Sequence, residues 1–399
     1  MIPSPSARLA LGFSCAGHSF AHLLMLLYPT VVLSLEPAWN RPFEELIGLM
    51  LVGQVLFGVG AVPAGWLGDR WSVPGMMAVF FLGTGAAAIG TGFADGPFEI
   101  ALGLAAIGLF ASIYHPVGIA WVTRNPVNRG RALGINGIFG SAGTAGGAVV
   151  AGSLATAFGW HWAFIVPGAL CVAVGTVLVA LILSGRIGDA EGGARGVPSE
   201  SSRGDMMRGG VVLLVTIACS GLIYQTTSFA MPKLFEQRLD GLVETAAGVG
   251  ALVSAVYLVS AGAQILGGWL ADRYDLRRVY FGCWLLQIPV LALAVTIAGP
   301  ALIPVATLMV LVNTTAVPAE NSLFARYTPP AWRGTAFGVK FLVSLGVAAV
   351  SVPLVGEMYR VFHEFGPLLA TLAVAATIGT LVALLLPRVR RAPAVQPAE

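Results

Sequence analysis

The sequence predicts an all-α membrane protein: twelve transmembrane helices in two pseudo-symmetric six-helix halves. Three observations lead there. Apolar residues make up 57% of the chain against 10% charged, a balance that soluble domains rarely reach. They gather in runs of about 20 or more, enough to cross a hydrocarbon core roughly 30 Å thick. A short phrase also occurs twice, since Gly65-Trp66-Leu67-Gly68-Asp69-Arg70 returns 203 positions later as Gly268-Trp269-Leu270-Ala271-Asp272-Arg273. The same offset carries Tyr28-Pro29 onto Met231-Pro232, and an offset of 204 carries Arg129-Gly130-Arg131 onto Arg333-Gly334-Thr335. Repeats half a chain apart mark a duplication.

The first half, residues 1–183, holds runs at 9–33, 46–67, 73–93, 98–122, 132–158 and 162–183. The second, 209–399, holds runs at 211–235, 246–270, 279–298, 301–325, 336–355 and 367–386. Residues 184–208 between them are Gly, Ser, Ala and charged residues without periodicity, which predicts a flexible cytoplasmic linker. The first run is too long for a signal peptide and is expected to remain as the first helix. Short loops elsewhere make consecutive helices antiparallel neighbours. A soluble bundle would need twelve apolar helices almost without amphipathic stripes, so that alternative is poor.

Orientation follows from the basic residues. With the N-terminus inside, only Arg41, Lys233, Arg238 and Arg360 fall outside and Lys340 falls within a span; seventeen of the 22 Lys and Arg lie inside. The positive-inside rule then puts both termini in the cytoplasm of an inner-membrane protein. The net charge of +3 reports orientation, not nucleic-acid binding. Cys15, Cys171, Cys219 and Cys283 lie inside apolar runs and behave as small hydrophobes. No CxxC or His/Cys spacing points to a metal or cofactor.

Ionisable residues inside spans are costly and suggest function. Here they are His18, His22, His115, Glu320 and Lys340. His18 and His22 are four apart and share one helical face. His18 and His115 sit roughly 13 and 10 Å from the cytoplasmic side, so three imidazoles could converge. Histidine titrates near neutral pH, so proton coupling or anion binding is expected. Each could also be a structural histidine bonded to a neighbouring helix. Glu320 and Lys340, at similar depth on successive helices, are expected to pair, because either charge alone would be expensive. Lys340 takes the repeat position of Asn136. Asn313, Asn321, Tyr224 and Gln225 add polar groups on the same helices. Tyr28-Pro29 and Met231-Pro232 predict matched bends, since proline removes a backbone donor.

With these marks on the page, the chain resembles the major facilitator superfamily over nearly its whole length. The resemblance rests on the 6+6 plan and on the Gly65 to Arg70 motif between helices two and three, repeated between eight and nine. Ser112-Ile113-Tyr114-His115-Pro116, with His18 and His22, resembles the fosmidomycin-resistance-type branch. The resemblance implies alternating access around a cavity lined by helices 1, 4, 7 and 10. It also implies that Asp69, Arg70, Asp272 and Arg273 latch the cytoplasmic side when the outside is open. The first copy lacks the basic residues that Arg277 and Arg278 supply in the second. Helix four has no outer Arg, and helix five has no Gly-Pro before Gly146-Gly147, which weakens an antiporter assignment. The expected function is secondary transport of a small organic solute by a monomer in the lipid bilayer, as proton-coupled efflux of a drug-like or anionic metabolite. Uptake of a small organic acid, or a non-transporting sensor or scaffold on this fold, are the alternatives. Nothing in the sequence suggests an enzyme.

Overall fold

A computed structural model describes residues 5–124, 129–188, 202–239, 241–329 and 333–387, with no strand among them. Twelve helical spans among the described residues are long and apolar enough to cross a membrane. Spans 1 to 6 are Ser6–Trp39, Phe43–Arg70, Val73–Thr91, Pro97–Val122, Ala132–Phe158 and Trp162–Leu183. Spans 7 to 12 are Arg203–Arg238, Ala246–Arg273, Leu276–Ala294, Gly299–Arg326, Gly338–Phe362 and Gly366–Ala383. Each overlaps its predicted run. The side carrying residues 40–42, 92–96 and 159–161 is called the outer side below, after the charge distribution.

Four local features shape the spans. Span 1 is broken at Leu27 into Pro5–Leu26 and Tyr28–Trp39, because Pro29 cannot donate to the turn before it. The repeat-related Pro232, by contrast, lies inside an unbroken helix, Arg203–Arg238. A membrane helix can carry a proline at the loss of one backbone bond, so Pro232 leaves its helix continuous where Pro29 interrupts span 1. Residues 203–208, expected to be linker, are the first turns of that helix. Ser202 Oγ accepts from Asp205 N at 3.1 Å and donates to Asp205 Oδ2 at 2.8 Å, a side-chain cap that starts the helix ahead of the apolar run. Of the rest of the expected linker, residues 189–201 lie outside the described residues. In span 4, Tyr114–Gly118 forms a π-helical turn, a local widening that often marks functional sites.

The two halves meet along spans 5 and 8 and along spans 2 and 11, and the outer side is where they meet closely. A Cβ on Gly152 would run into the Ala246 carbonyl, and one on Gly250 into the Ala148 carbonyl. Thr156 Oγ1 accepts from Ala247 N at 3.1 Å, so a hydroxyl of the first half caps an orphan donor at the start of a helix in the second. Lys233 on span 7 pairs with Glu36 on span 1 at 2.7 Å, and also with Glu236. Phe43 at the head of span 2 packs on Tyr359 of span 11, with centroids 5.0 Å apart.

Toward the inner side the halves part. Gly134, Gly268 and Gly338 each lie about one turn below a cavity-lining residue, namely Gly137, Gln264 and Phe341. A Cβ on any of the three would meet nothing within 4 Å. Among the described residues the halves are thus in close contact on the outer side and leave open space beside Gly134, Gly268 and Gly338 on the inner side.

Candidate functional site: a polar cavity between the halves

At mid-depth the halves enclose a cavity of about 300 Å³. Nine of the ten residues expected at a binding or coupling site line it: His18, His22, His115, Tyr224, Gln225, Asn313, Glu320, Asn321 and Lys340. Asn136 does not; it sits behind the histidines. The lining also draws on more helices than spans 1, 4, 7 and 10. Spans 2, 5, 8 and 11 contribute Gln54, Ser141, Gln264 and Lys340 among others, because small residues such as Gly137 and Gly140 let span 5 approach the axis. Gln54, Tyr257, Ser260 and Gln264 were passed over in the sequence. Each is a polar group inside an apolar run, and that was the available signal.

The first-half wall is histidine. The ring centroids of His18 and His22 are 5.0 Å apart, those of His22 and His115 5.4 Å, and those of His18 and His115 5.5 Å. The convergence expected from helix geometry is present. His18 Nδ1 lies 2.8 Å from the Asn136 carbonyl, which fixes that nitrogen as the donor and leaves Nε2 with its lone pair. The His18 ring stacks on Tyr114 at 4.8 Å. Asn136 Nδ2 donates to the Tyr114 hydroxyl at 2.9 Å and to Ser14 Oγ at 3.2 Å, and Ser14 donates to Gly118 O at 2.9 Å. Asn136 therefore braces the wall from behind. His115, in the π turn, is buried, and neither ring nitrogen has a hydrogen-bond partner. Phe341 of the second half stacks on it at 5.4 Å.

The second-half wall is charged. Lys340 Nζ lies 2.9 Å from Glu320 Oε1, with both side chains 7% exposed, and it also donates to Asn321 Oδ1. The Tyr280 hydroxyl reaches Glu320 Oε2 at 3.0 Å and Thr216 Oγ1 at 2.8 Å. The pair expected from matched depth is thus made, and both carboxylate oxygens are engaged. Such a pair is stable as a unit and costly to split, since removing one partner strands a desolvated charge.

The duplicated motif is duplicated in detail. The Arg70 guanidinium lies over Trp66 at 4.3 Å, and that of Arg273 over Trp269 at 4.9 Å. Asp69, Arg70, Asp272 and Arg273 are all exposed at the inner ends of spans 2 and 8.

A two-half helical membrane protein with a polar cavity between its halves has the build of a carrier. A sequence profile of the Major Facilitator Superfamily matches residues 9–256 and 241–399, and the chain belongs to that family. The 4-hydroxybenzoate transporter PcaK of Pseudomonas putida is 23% identical over 351 residues, 78% of this chain and 77% of that one. A candidate glycerol-3-phosphate transporter of Arabidopsis thaliana is 32% identical over 162 residues, 37% of this chain and 30% of that protein. The chain thus spans about a third of the length of the first curated relatives it matches. In fold it is similar to a bacterial homolog to the human lysosomal transporter Spinster, solved in an inward-facing and occupied conformation. That likeness has a TM-score of 0.74 at 14% identity and covers 96% of this chain and 95% of that one. The narrower likeness to the fosmidomycin-resistance branch rests on His18, His22 and Ser112 to Pro116 alone.

Proposed function

We propose that this protein is a proton-coupled carrier that takes up a small organic acid by alternating access across a bacterial-type inner membrane. It works as a monomer with both termini in the cytoplasm. The observation that carries this reading is the Lys340–Glu320 pair on the cavity wall. An entering carboxylate or phosphate is drawn to Lys340, the ammonium group of the cavity lining. To bind there it must displace Glu320. Glu320 then stands desolvated and unpaired, and takes up a proton, because an uncompensated buried charge is expensive. Anion and proton therefore bind together and leave together. The anionic solutes in the names of two relatives support this reading, as does the inward charge bias of the sequence.

Efflux by proton exchange, the first expectation from the sequence, needs solute and proton to compete for one group. An anion that frees a carboxylate does the reverse, so the geometry favours co-transport.

Proteoliposomes supplied with 4-hydroxybenzoate, and in parallel with glycerol-3-phosphate, test it. Accumulation of at least one solute should follow an inward-directed proton gradient and collapse when that gradient is dissipated. Exchange in which an outward solute gradient drives proton entry would reverse the assignment.

A further inference from the structure

We propose that His18, His22 and His115 form a binding site for a first-row divalent transition-metal ion in the first-half wall of the cavity. The sequence pointed to no metal, because the three ligands come from two spans and have no motif spacing. The fold joins them: each imidazole offers one nitrogen, and the three nitrogens lie within 4.8 Å of one another. Tetrahedral zinc with Zn–N of about 2.0–2.1 Å sets its ligand nitrogens about 3.3 Å apart, so closure needs ring movements of roughly 1 Å or less.

Two further features point to a ligand rather than to packing. Buried polar atoms are nearly always hydrogen-bonded, yet both ring nitrogens of His115 are buried without a partner, at a place where the helix opens into a π turn. His18 in turn has the outer-shell arrangement of a metal ligand. Its Nδ1 is tied to a backbone carbonyl, leaving Nε2 its lone pair; such partners fix the tautomer and orientation of ligating histidines. The Ser14–Asn136–Tyr114 network holds that carbonyl and the stacked ring in place. This gives Asn136, which does not reach the cavity, a positioning role.

A proton-relay reading of the same residues is weaker. Two protonated rings would be like charges about 5 Å apart at their centroids, and the cavity-lining carboxylate, Glu320, is held by Lys340. Lone pairs converging on one cation need no neighbouring carboxylate. Three imidazoles suit zinc, copper or nickel over magnesium or calcium. They leave a fourth position, where water or an anion can complete the shell. The ion could enter free or as the chelate of an organic acid. The site stands on the histidine geometry and does not depend on the Lys340–Glu320 mechanism.

The test uses the purified full-length protein in detergent, titrated with Zn²⁺ alone and with Zn²⁺ plus citrate by calorimetry, and with Co²⁺ by visible absorption. One ion per chain is expected, with the intense bands of tetrahedral cobalt. His22→Ala and His115→Ala should each weaken binding by at least about tenfold, the scale on which even outer-shell losses are felt. Tighter binding with citrate would assign the site to a chelate, and tight binding of Zn²⁺ alone to the free ion. Failure of the wild-type protein to bind in either arm overturns the proposal, whatever the folding of the variants. So does binding that the histidine substitutions leave unchanged. If the histidine variants lose pH-driven solute accumulation while the wild-type protein binds no metal, the histidines carry protons instead.

Discussion

Lys340→Met is expected to abolish gradient-driven accumulation and to lower the yield of folded protein. The Glu320→Gln, Lys340→Met double variant should recover yield but not transport. The substitution strands Glu320 with only the Tyr280 hydroxyl beside it, and splitting a buried pair costs about 3–5 kcal/mol where the site is dry. The double variant removes both charges, so no stranded ion remains. Glu320→Gln should fail differently. It leaves Lys340 bonded to Asn321 and able to hold an anion, so exchange of solute across the membrane persists while coupling to protons is lost. Folded yield, counterflow exchange and pH-driven uptake, measured on all three variants, separate these outcomes. Additive losses would mean that the two residues do not interact. Recovery of both yield and transport in the double variant would make the pair a structural bridge and remove it from the mechanism.

Glu36→Gln and Asp69→Asn should move the conformational equilibrium in opposite directions. Lys233 clasps Glu36 across the outer seam, so loss of Glu36 weakens the outer closure and populates the outward-open state. Lys233 keeps Glu236 as a partner, so the variant does not leave a bare ammonium group. Asp69→Asn, and Asp272→Asn with it, weakens the latch that the superfamily resemblance assigns to the inner side, and so populates the inward-open state further. A lost contact worth about 1–3 kcal/mol changes the ratio of states roughly 5- to 150-fold. Spin-label distances across the outer ends of spans 1 and 7 and the inner ends of spans 2 and 8 report both changes. Identical distance distributions in Glu36→Gln and wild type would remove the clasp from the gating scheme.

The twelve spans and the two halves were legible because bilayer crossing imposes a length and a polarity that composition alone satisfies, and because duplication left the Gly65 and Gly268 motifs in register. The Glu320–Lys340 pair was legible for a related reason: helix rise fixes depth, and two opposite charges at one depth must meet or be expelled. What stayed hidden depends on how helices rotate and approach. Pro116 has no N–H to give the turn before it, but that alone does not announce a π turn over Tyr114–Gly118. Asn136 and Lys340 share a repeat position, yet Lys340 faces the cavity and Asn136 lies behind it, because helix rotation about its axis is not written in depth. Gln54 and Gln264 were overlooked for the same reason: an amide inside an apolar run counts only once its face is known. Pro29 and Pro232 share a repeat position too, yet the helix is interrupted beside the first and continuous through the second.

The Lys340–Glu320 pair also fixes the electrical character of the cycle. Empty, the two charges cancel. Loaded, Lys340 holds a monoanion while Glu320 carries a proton, and the sum is again zero. A membrane potential worth about 2.3 kcal/mol per charge per 100 mV therefore has nothing to act on in either reorientation. Clamping the potential with potassium and valinomycin should leave the transport rate unchanged, and uptake driven by voltage alone would reveal another moving charge. An electroneutral carrier of this kind can concentrate its solute only as far as the pH difference allows, about tenfold for each pH unit.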